Sequence, residues 1–239
     1  MADIYLYDDV PVLKNKLDIR DADLLDTVEA GISRSSMMLL YESGFHDFSP
    51  EGLCAIHKRL FEDIYEWAGQ YRIINIEKRE RLLAGRSVWY SNDEDIPDDL
   101  KNVFVQLRAQ KWETFSKDEF VRQMVLSFSK IWQVHPFREG NTRTIVMMMS
   151  LFVEHYGFYM DHELLSASAG YVRDAFVMAS LDQFSEYDHL ERILLDAVCV
   201  EPVIYDINSL ETPTVERQMK YQKYQTSKYI PQPHYERED

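Results

Sequence analysis

Apolar residues recur every three to four positions along most of this chain, the spacing that lines one face of an α-helix. Residues 21–44, DADLLDTVEAGISRSSMMLLYESG, open on an aspartate suited to cap a helix and close on Gly44, so they predict a first helix. Residues 49–69, SPEGLCAIHKRLFEDIYEWAG, begin with Ser49 and Pro50, a cap followed by a proline at the first helical position, and run to Gly69. Two more amphipathic helices are predicted at 95–112 and 116–134. Each has acidic residues early in the run, where the helix dipole favours them.

The period breaks between Tyr71 and Asn92. The stretch YRIINIEKRERLLAGRSVWYSN holds short β-prone pieces about a glycine-containing turn, which predicts a small hairpin. Short helices are expected from 160 to about Val198. Beyond them the chain is polar and tyrosine-rich; its first half reads as helical, while Pro231, Pro233 and the charged terminus read as tail. The pattern therefore predicts a mainly α protein. It has an N-terminal segment with the first helix at 1–44, a core at 45–200 and a partly helical extension at 201–239.

A hydrophobic fraction of 46% with 13% aromatics is ample for a buried core and excludes wholesale disorder. The net charge of −15 excludes the basic face of a nucleic-acid binder. It leaves room for a nucleotide, because a few arginines and backbone amides can hold one phosphate locally. The two cysteines, Cys54 and Cys199, belong to no CxxC or Cys/His cluster, so neither a disulfide framework nor a structural zinc site is expected. The N-terminus MADIYLYDDVPVL is acidic where a secretion signal is basic, and no apolar run reaches the ~18 residues of a membrane span. A cytoplasmic protein with no membrane partner is expected.

The densest chemistry lies at HPFREGNTRT, residues 135–144. Val121, Met124, Val125, Phe128, Ile131 and Trp132 share one helix face, and the same spacing reaches His135, at the inner end of that helix. Pro136 then stops it. After the loop, TIVMMMSLFVEHYGF is apolar on nearly every side, as in a helix buried within a bundle. Gly140 gives a tight turn and Asn141 is a natural cap for this helix. A buried helix start presents N–H groups and partial positive charge, and Arg143 adds a full one, so a phosphate suits the position. Glu139 would repel that anion unless a cation such as Mg²⁺ lay between them. His135 is suited to take a proton from an attacking hydroxyl. Singly, these residues read as a helix-ending histidine, a loop acid, a cap and a surface charge. Together, within nine positions, they describe transfer of a phosphorus-containing group. Met147, Met148 and Met149 read as core filling and His57 as a structural histidine.

The motif HPFREGNTR resembles the signature of Fic-domain proteins, H-x-F-x-[D/E]-G-N-[G/K]-R-x-x-R. Upstream, IHKRLFEDIYEWAGQYR resembles the helix of that family that ends in a Trp-Ala-Gly and a Tyr-Arg pair. The resemblance covers roughly residues 45–200. It implies a Fic-fold helical bundle with a small β-hairpin flap, and transfer of AMP from ATP to a protein Ser, Thr or Tyr hydroxyl with release of pyrophosphate. By position, His135 would be the general base, Phe137 a buried anchor and Glu139 the ligand of Mg²⁺. Gly140, Asn141 and Thr142 would form the anion cradle, and Arg143 would pair with phosphate. The flap around Leu83, Ser87, Val88 and Tyr90 would dock the target by strand-like pairing.

Two positions depart from the signature. Thr142 stands where glycine or lysine is usual, although a threonine at a helix start still offers its N–H. Val146 stands in place of the last arginine, which in the family steadies the terminal phosphate of ATP. The donor is thereby left open: UTP, CDP-choline or γ-phosphate transfer, or a weakly active binding module, are the alternatives. The family's inhibitory helix, [S/T]-x-x-x-E-[G/N], has no match in the first helix and a partial one at Thr212–Glu216. Without an arginine at 146 its partner is absent, so self-inhibition of that kind is not expected; a separate inhibitory protein remains open.

Overall fold

The computed structural model describes residues 3–202 and 215–225, with the side chains of the last segment described from Gln218 onward. Among the described residues are nine α-helices and one pair of two-residue strands. They fall into two compact units, each discontinuous in sequence. The first comprises Met1–Ile76, Tyr90–Leu107 and Val134–Phe152; the second comprises Glu77–Trp89, Arg108–Gln133 and Val153–Asp239.

The first unit holds α1 (Ala22–Glu42), α2 (Pro50–Phe61), most of α3 (Ile96–Arg108) and the greater part of α5 (Asn141–His155). Helix α1 starts as expected, with Asp21 accepting from the Leu24 N–H at 2.8 Å. Its inward positions are Leu25, Glu29, Ser33 and Leu40, so an acid and a hydroxyl lie on the buried stripe. Ser49 caps α2, accepting from the Gly52 N–H at 3.1 Å, with Pro50 at the start. The helix ends at Phe61, eight residues before the expected Gly69. There the N–H groups of Ile64 and Tyr65 both turn back onto the Phe61 carbonyl, at 2.9 Å. The turns beyond bring Tyr65 and Trp67 face to face at 4.3 Å. Aromatic packing ends this helix before the glycine does. An N-terminal strap is held to the unit by Lys16 N–H on Ile64 O (2.7 Å) and by the Tyr5 ring edge-on to Trp67.

The second unit contains most of α4 (Lys117–Val134), with α6 (His162–Ala167), α7 (Ala169–Met178), α8 (Asp188–Ala197) and α9 (Val215–Gln225). Trp132 of α4 stacks parallel to Phe176 of α7 at 5.8 Å, and Ser180 donates to the Ser129 carbonyl. Strands β1 (Tyr159–Met160) and β2 (Val198–Cys199) pair antiparallel. Helix α9, in the C-terminal extension, is fastened by the buried Tyr224, whose hydroxyl donates to Asp196 and lies 3.0 Å from Arg192 O. Of the segment Thr212–Glu216, the first three residues lie outside the described residues and so do all its side chains.

The stretch from 71 to 92 folds back on itself as expected, but without a strand ladder; among the described residues the paired strands are β1 and β2. A short 3₁₀ turn at Arg81–Leu83 makes the bend, with Ala84 (φ 53°) and Gly85 (φ 87°) in the left-handed region. Glu80 closes it, its N–H on Arg86 O and its carboxylate taking two 2.8 Å bonds from Arg173.

Candidate active site

His135 follows the last residue of α4 and is 2% exposed, at the inner end of the helix as its spacing predicts. Its φ is +51°, a region a non-glycine residue enters only when its surroundings require it. Those surroundings are Arg72 and Tyr90. The Arg72 Nε donates to the His135 carbonyl at 2.9 Å, and the Arg72 N–H donates to the Pro136 carbonyl at 2.8 Å. The Tyr90 ring lies against the imidazole, centroids 4.0 Å apart and planes 30° from parallel.

The loop after His135 is closed by its own asparagine. Asn141 accepts the Phe137 N–H at 3.0 Å and donates to the Phe137 carbonyl at 2.7 Å. The expected cap role therefore differs: Asn141 is the first residue of α5, and its side chain is used to shut the loop. Gly140 precedes it with φ +79°, and its carbonyl accepts from both the N–H and hydroxyl of Thr144. A Cβ at 140 would lie 2.4 Å from the Phe61 ring, so the position admits only glycine.

His57 supports this loop from below, as the sequence reading of a structural histidine expects. Its Nδ1 accepts the Gly69 N–H at 2.8 Å, so its Nε2 carries the proton and donates to Glu139 O at 3.0 Å. Its ring stacks on Phe137 at 3.8 Å. Burial pushes its pKa down to about 3, and the nearby Arg143 adds to that. At neutral pH the ring is therefore uncharged, with its Nε2 proton donated to Glu139 O. Arg138 is tied to Asp3 of the N-terminal strap by bonds of 2.9 and 2.6 Å.

Glu139 is half-buried, and one of its carboxylate oxygens accepts the Gly140 N–H at 3.0 Å. Among the described residues no group of three or more His, Cys, Asp or Glu is arranged to hold a metal. A magnesium ion fits this donor set only as it commonly binds with nucleotides, with one carboxylate, phosphate oxygens and water.

Arg143 lies in the first turn of α5, its guanidinium 4.9 Å over the Phe61 ring. It is already engaged. It donates to Ser33 Oγ at 3.0 Å and to Glu29, both from the inward stripe of α1. The other Glu29 oxygen accepts the Tyr65 hydroxyl, whose pKa is driven well above its ordinary value by burial and then by that carboxylate. The phenol thus stays protonated and donates. Sequence reasoning missed Glu29, Ser33, Tyr65 and Arg72 as parts of this site. The available signals were a glutamate and a serine in register with Leu25 and Leu40 on an apolar stripe, and Arg72 in the Tyr-Arg pair.

Among the flap residues, Tyr90 belongs to the unit that holds His135. Leu83, Ser87 and Val88 belong to the other unit. There Leu83 and Val88 are buried, and Ser87 accepts the Lys78 N–H and donates to Val88 O. Val146 is half-buried, and its carbonyl accepts from Ser150.

The Fic/DOC family model matches residues 47–153. A probable protein adenylyltransferase, y4lH of Sinorhizobium fredii, is 30% identical over 173 residues, covering 69% of this chain and 82% of that protein. The protein adenylyltransferase VbhT of Bartonella schoenbuchensis is 28% identical over 66% of this chain, which spans only 32% of its length. Among solved structures, BepC of Bartonella tribocorum with bound AMPPNP matches with TM-score 0.70 at 22% identity, over 81% of this chain and 95% of that one. The type IV secretion system effector BepA matches with TM-score 0.70 at 21% identity, over 96% of this chain and 76% of that one. With this motif, this fold and these relatives, the chain belongs to the Fic/DOC family.

Proposed function

We propose that this protein transfers AMP from ATP to a hydroxyl group on a target protein. The observation that carries the reading is His135, locked by its backbone directly ahead of a loop that delivers Glu139 and Arg143 at the start of a buried helix. His135 takes the proton from a Ser, Thr or Tyr hydroxyl. The oxygen bonds to the α-phosphorus, the bond from that phosphorus to the β-phosphate bridge oxygen breaks, and pyrophosphate leaves. The N–H groups at the start of α5 and the Arg143 guanidinium bear the phosphate charge. A magnesium ion on Glu139 would neutralise charge on the phosphates and orient them. The relative y4lH, a probable protein adenylyltransferase 30% identical over most of its length, supports the choice of AMP. The setting we propose is the cytoplasm, where ATP, magnesium and protein hydroxyls occur together.

The test is incubation with ATP labelled at the α- or the γ-phosphate, with magnesium and a cell lysate. Transfer of the α-label alone, lost in His135→Ala, is the expected result. Glu139→Ala should lose the magnesium-dependent part of ATP binding and match the parent protein in EDTA. Transfer of the γ-label, or full labelling by His135→Ala, would overturn the reading. A second reading, transfer from UTP or CDP-choline or a weakly active binding module, is favoured by one observation: Val146 stands where an arginine would meet the terminal phosphate.

A further inference from the structure

Arg72 is 1% exposed, and burying a guanidinium is costly unless its N–H groups are satisfied. Among the described residues its side-chain hydrogen bonds all go to main-chain carbonyls. Nε donates to His135 at 2.9 Å, Nη1 to Ile74 at 2.7 Å and Nη2 to Ser91. Its own amide holds the next carbonyl of the motif loop, that of Pro136, at 2.8 Å. Three segments distant in sequence therefore meet on one cation.

These three segments are not arbitrary. Ile74 and Ser91 stand at the two ends of the folded-back arm, and His135 is the residue read above as the base. Tyr90, whose ring lies 4.0 Å from the imidazole, immediately precedes Ser91. The guanidinium thus fixes the histidine along two routes, through its carbonyl and through the backbone of the ring that covers it. The left-handed φ of His135 makes the first route matter, because a conformation of that kind persists only where neighbours enforce it.

We infer that Arg72 is the positioning residue of this site, one guanidinium holding the base, the ring over it and both ends of the target-docking arm in a single arrangement. The fork of an arginine suits the task, since its N–H groups diverge toward carbonyls on different sides; a lysine offers its three donors from one point. Charged and titratable groups that act on the guanidinium are Asp93, Tyr5 and Tyr90. The inference rests on the function proposed above for its kinetic readout alone.

The test uses the full chain and the variants Arg72→Lys and Arg72→Met, assayed well below their melting temperatures. The rate of α-label transfer at saturating ATP should fall about tenfold or more in Arg72→Lys, because small displacements of a reacting group are costly in rate. The ATP concentration for half that rate should change by less than about twofold, the phosphate-holding residues being untouched. A role in stability alone would lower the melting temperature and leave the rate per folded molecule unchanged, and that result overturns the inference. A nuclear magnetic resonance titration decides the matter independently of catalysis. In the unaltered protein the Arg72 Nε–H resonance should shift with the same midpoint as the His135 ring; a resonance that ignores that titration overturns the inference even if the variants do not fold. Absence of AMP transfer by the parent protein would overturn the proposed function while leaving this second measurement valid.

Discussion

Glu29 reaches from α1 to the guanidinium of Arg143, and the same carboxylate accepts a hydrogen bond from the Tyr65 hydroxyl. The arginine proposed to pair with phosphate is therefore already held by a buried acid. An incoming phosphate must accept that sharing or displace the acid, and the negative charge of Glu29 opposes it throughout.

Glu29→Gln should tighten ATP binding by about tenfold, since it removes a charge while leaving an oxygen for Tyr65. Stability should fall by about 1–2 kcal/mol, discounted because the Arg143 side chain is 32% exposed. Calorimetric titration with ATP and urea unfolding read the two effects separately. Weaker ATP binding in Glu29→Gln would mean that the acid orients the arginine for phosphate.

His57 makes stability depend on pH. Its folded pKa of about 3 lies below the 6.5 of an unperturbed histidine, so below pH 6.5 the unfolded chain binds a proton that the folded chain refuses. Its contribution is complete above pH 6.5 and is lost progressively as pH falls toward 3. Between pH 7 and 5 the loss is about 2 kcal/mol. In His57→Gln the decline in urea-unfolding free energy over that interval should be smaller by about this amount. An identical decline in both proteins would show that His57 is protonated in the fold.

Gly140→Ala should destabilise the protein by about 2–4 kcal/mol, combining left-handed strain with overlap on Phe61. Adding Phe61→Leu should recover the overlap and not the strain. Denaturant midpoints of the single and double variants give the split.

Val146→Arg should raise AMP transfer about ten- to a hundredfold, the worth of one charge-assisted bond to a terminal phosphate. Position 146 is half-buried, which gives the guanidinium a way out of the apolar interior. Melting temperature and α-label transfer should be measured together. A folded variant with unchanged transfer would favour a donor other than ATP.

The helices of this protein were legible because burial imposes a period, and α1, α4 and α5 lie close to where that period puts them. Local grammar also held at Ser49 and Asp21, whose caps need only the next three residues. It failed where distant parts decide. Helix α2 stops at Phe61 because aromatic rings beyond it prefer to stack, and the spacing before Gly69 carries no sign of that. Asn141 had every local qualification as a cap, yet the carbonyl and amide of Phe137 claimed its side chain. The Tyr-Arg pair marked Arg72, but no local pattern reveals that its partners lie at 74, 91 and 135.

The motif loop has a further consequence for protein engineering. Its signature is contiguous, but its shape is imposed by Phe61 beneath Gly140, His57 beneath Glu139 and Arg72 behind His135. A synthetic peptide of residues 135–144 would carry His135, Glu139 and Arg143 and hold none of them in register. Grafting the segment onto another helical scaffold would meet the same difficulty unless those three supports travelled with it. Portability here belongs to the loop together with side chains from residues 57–72, and any minimal fragment that keeps the loop's shape has to be cut along those lines.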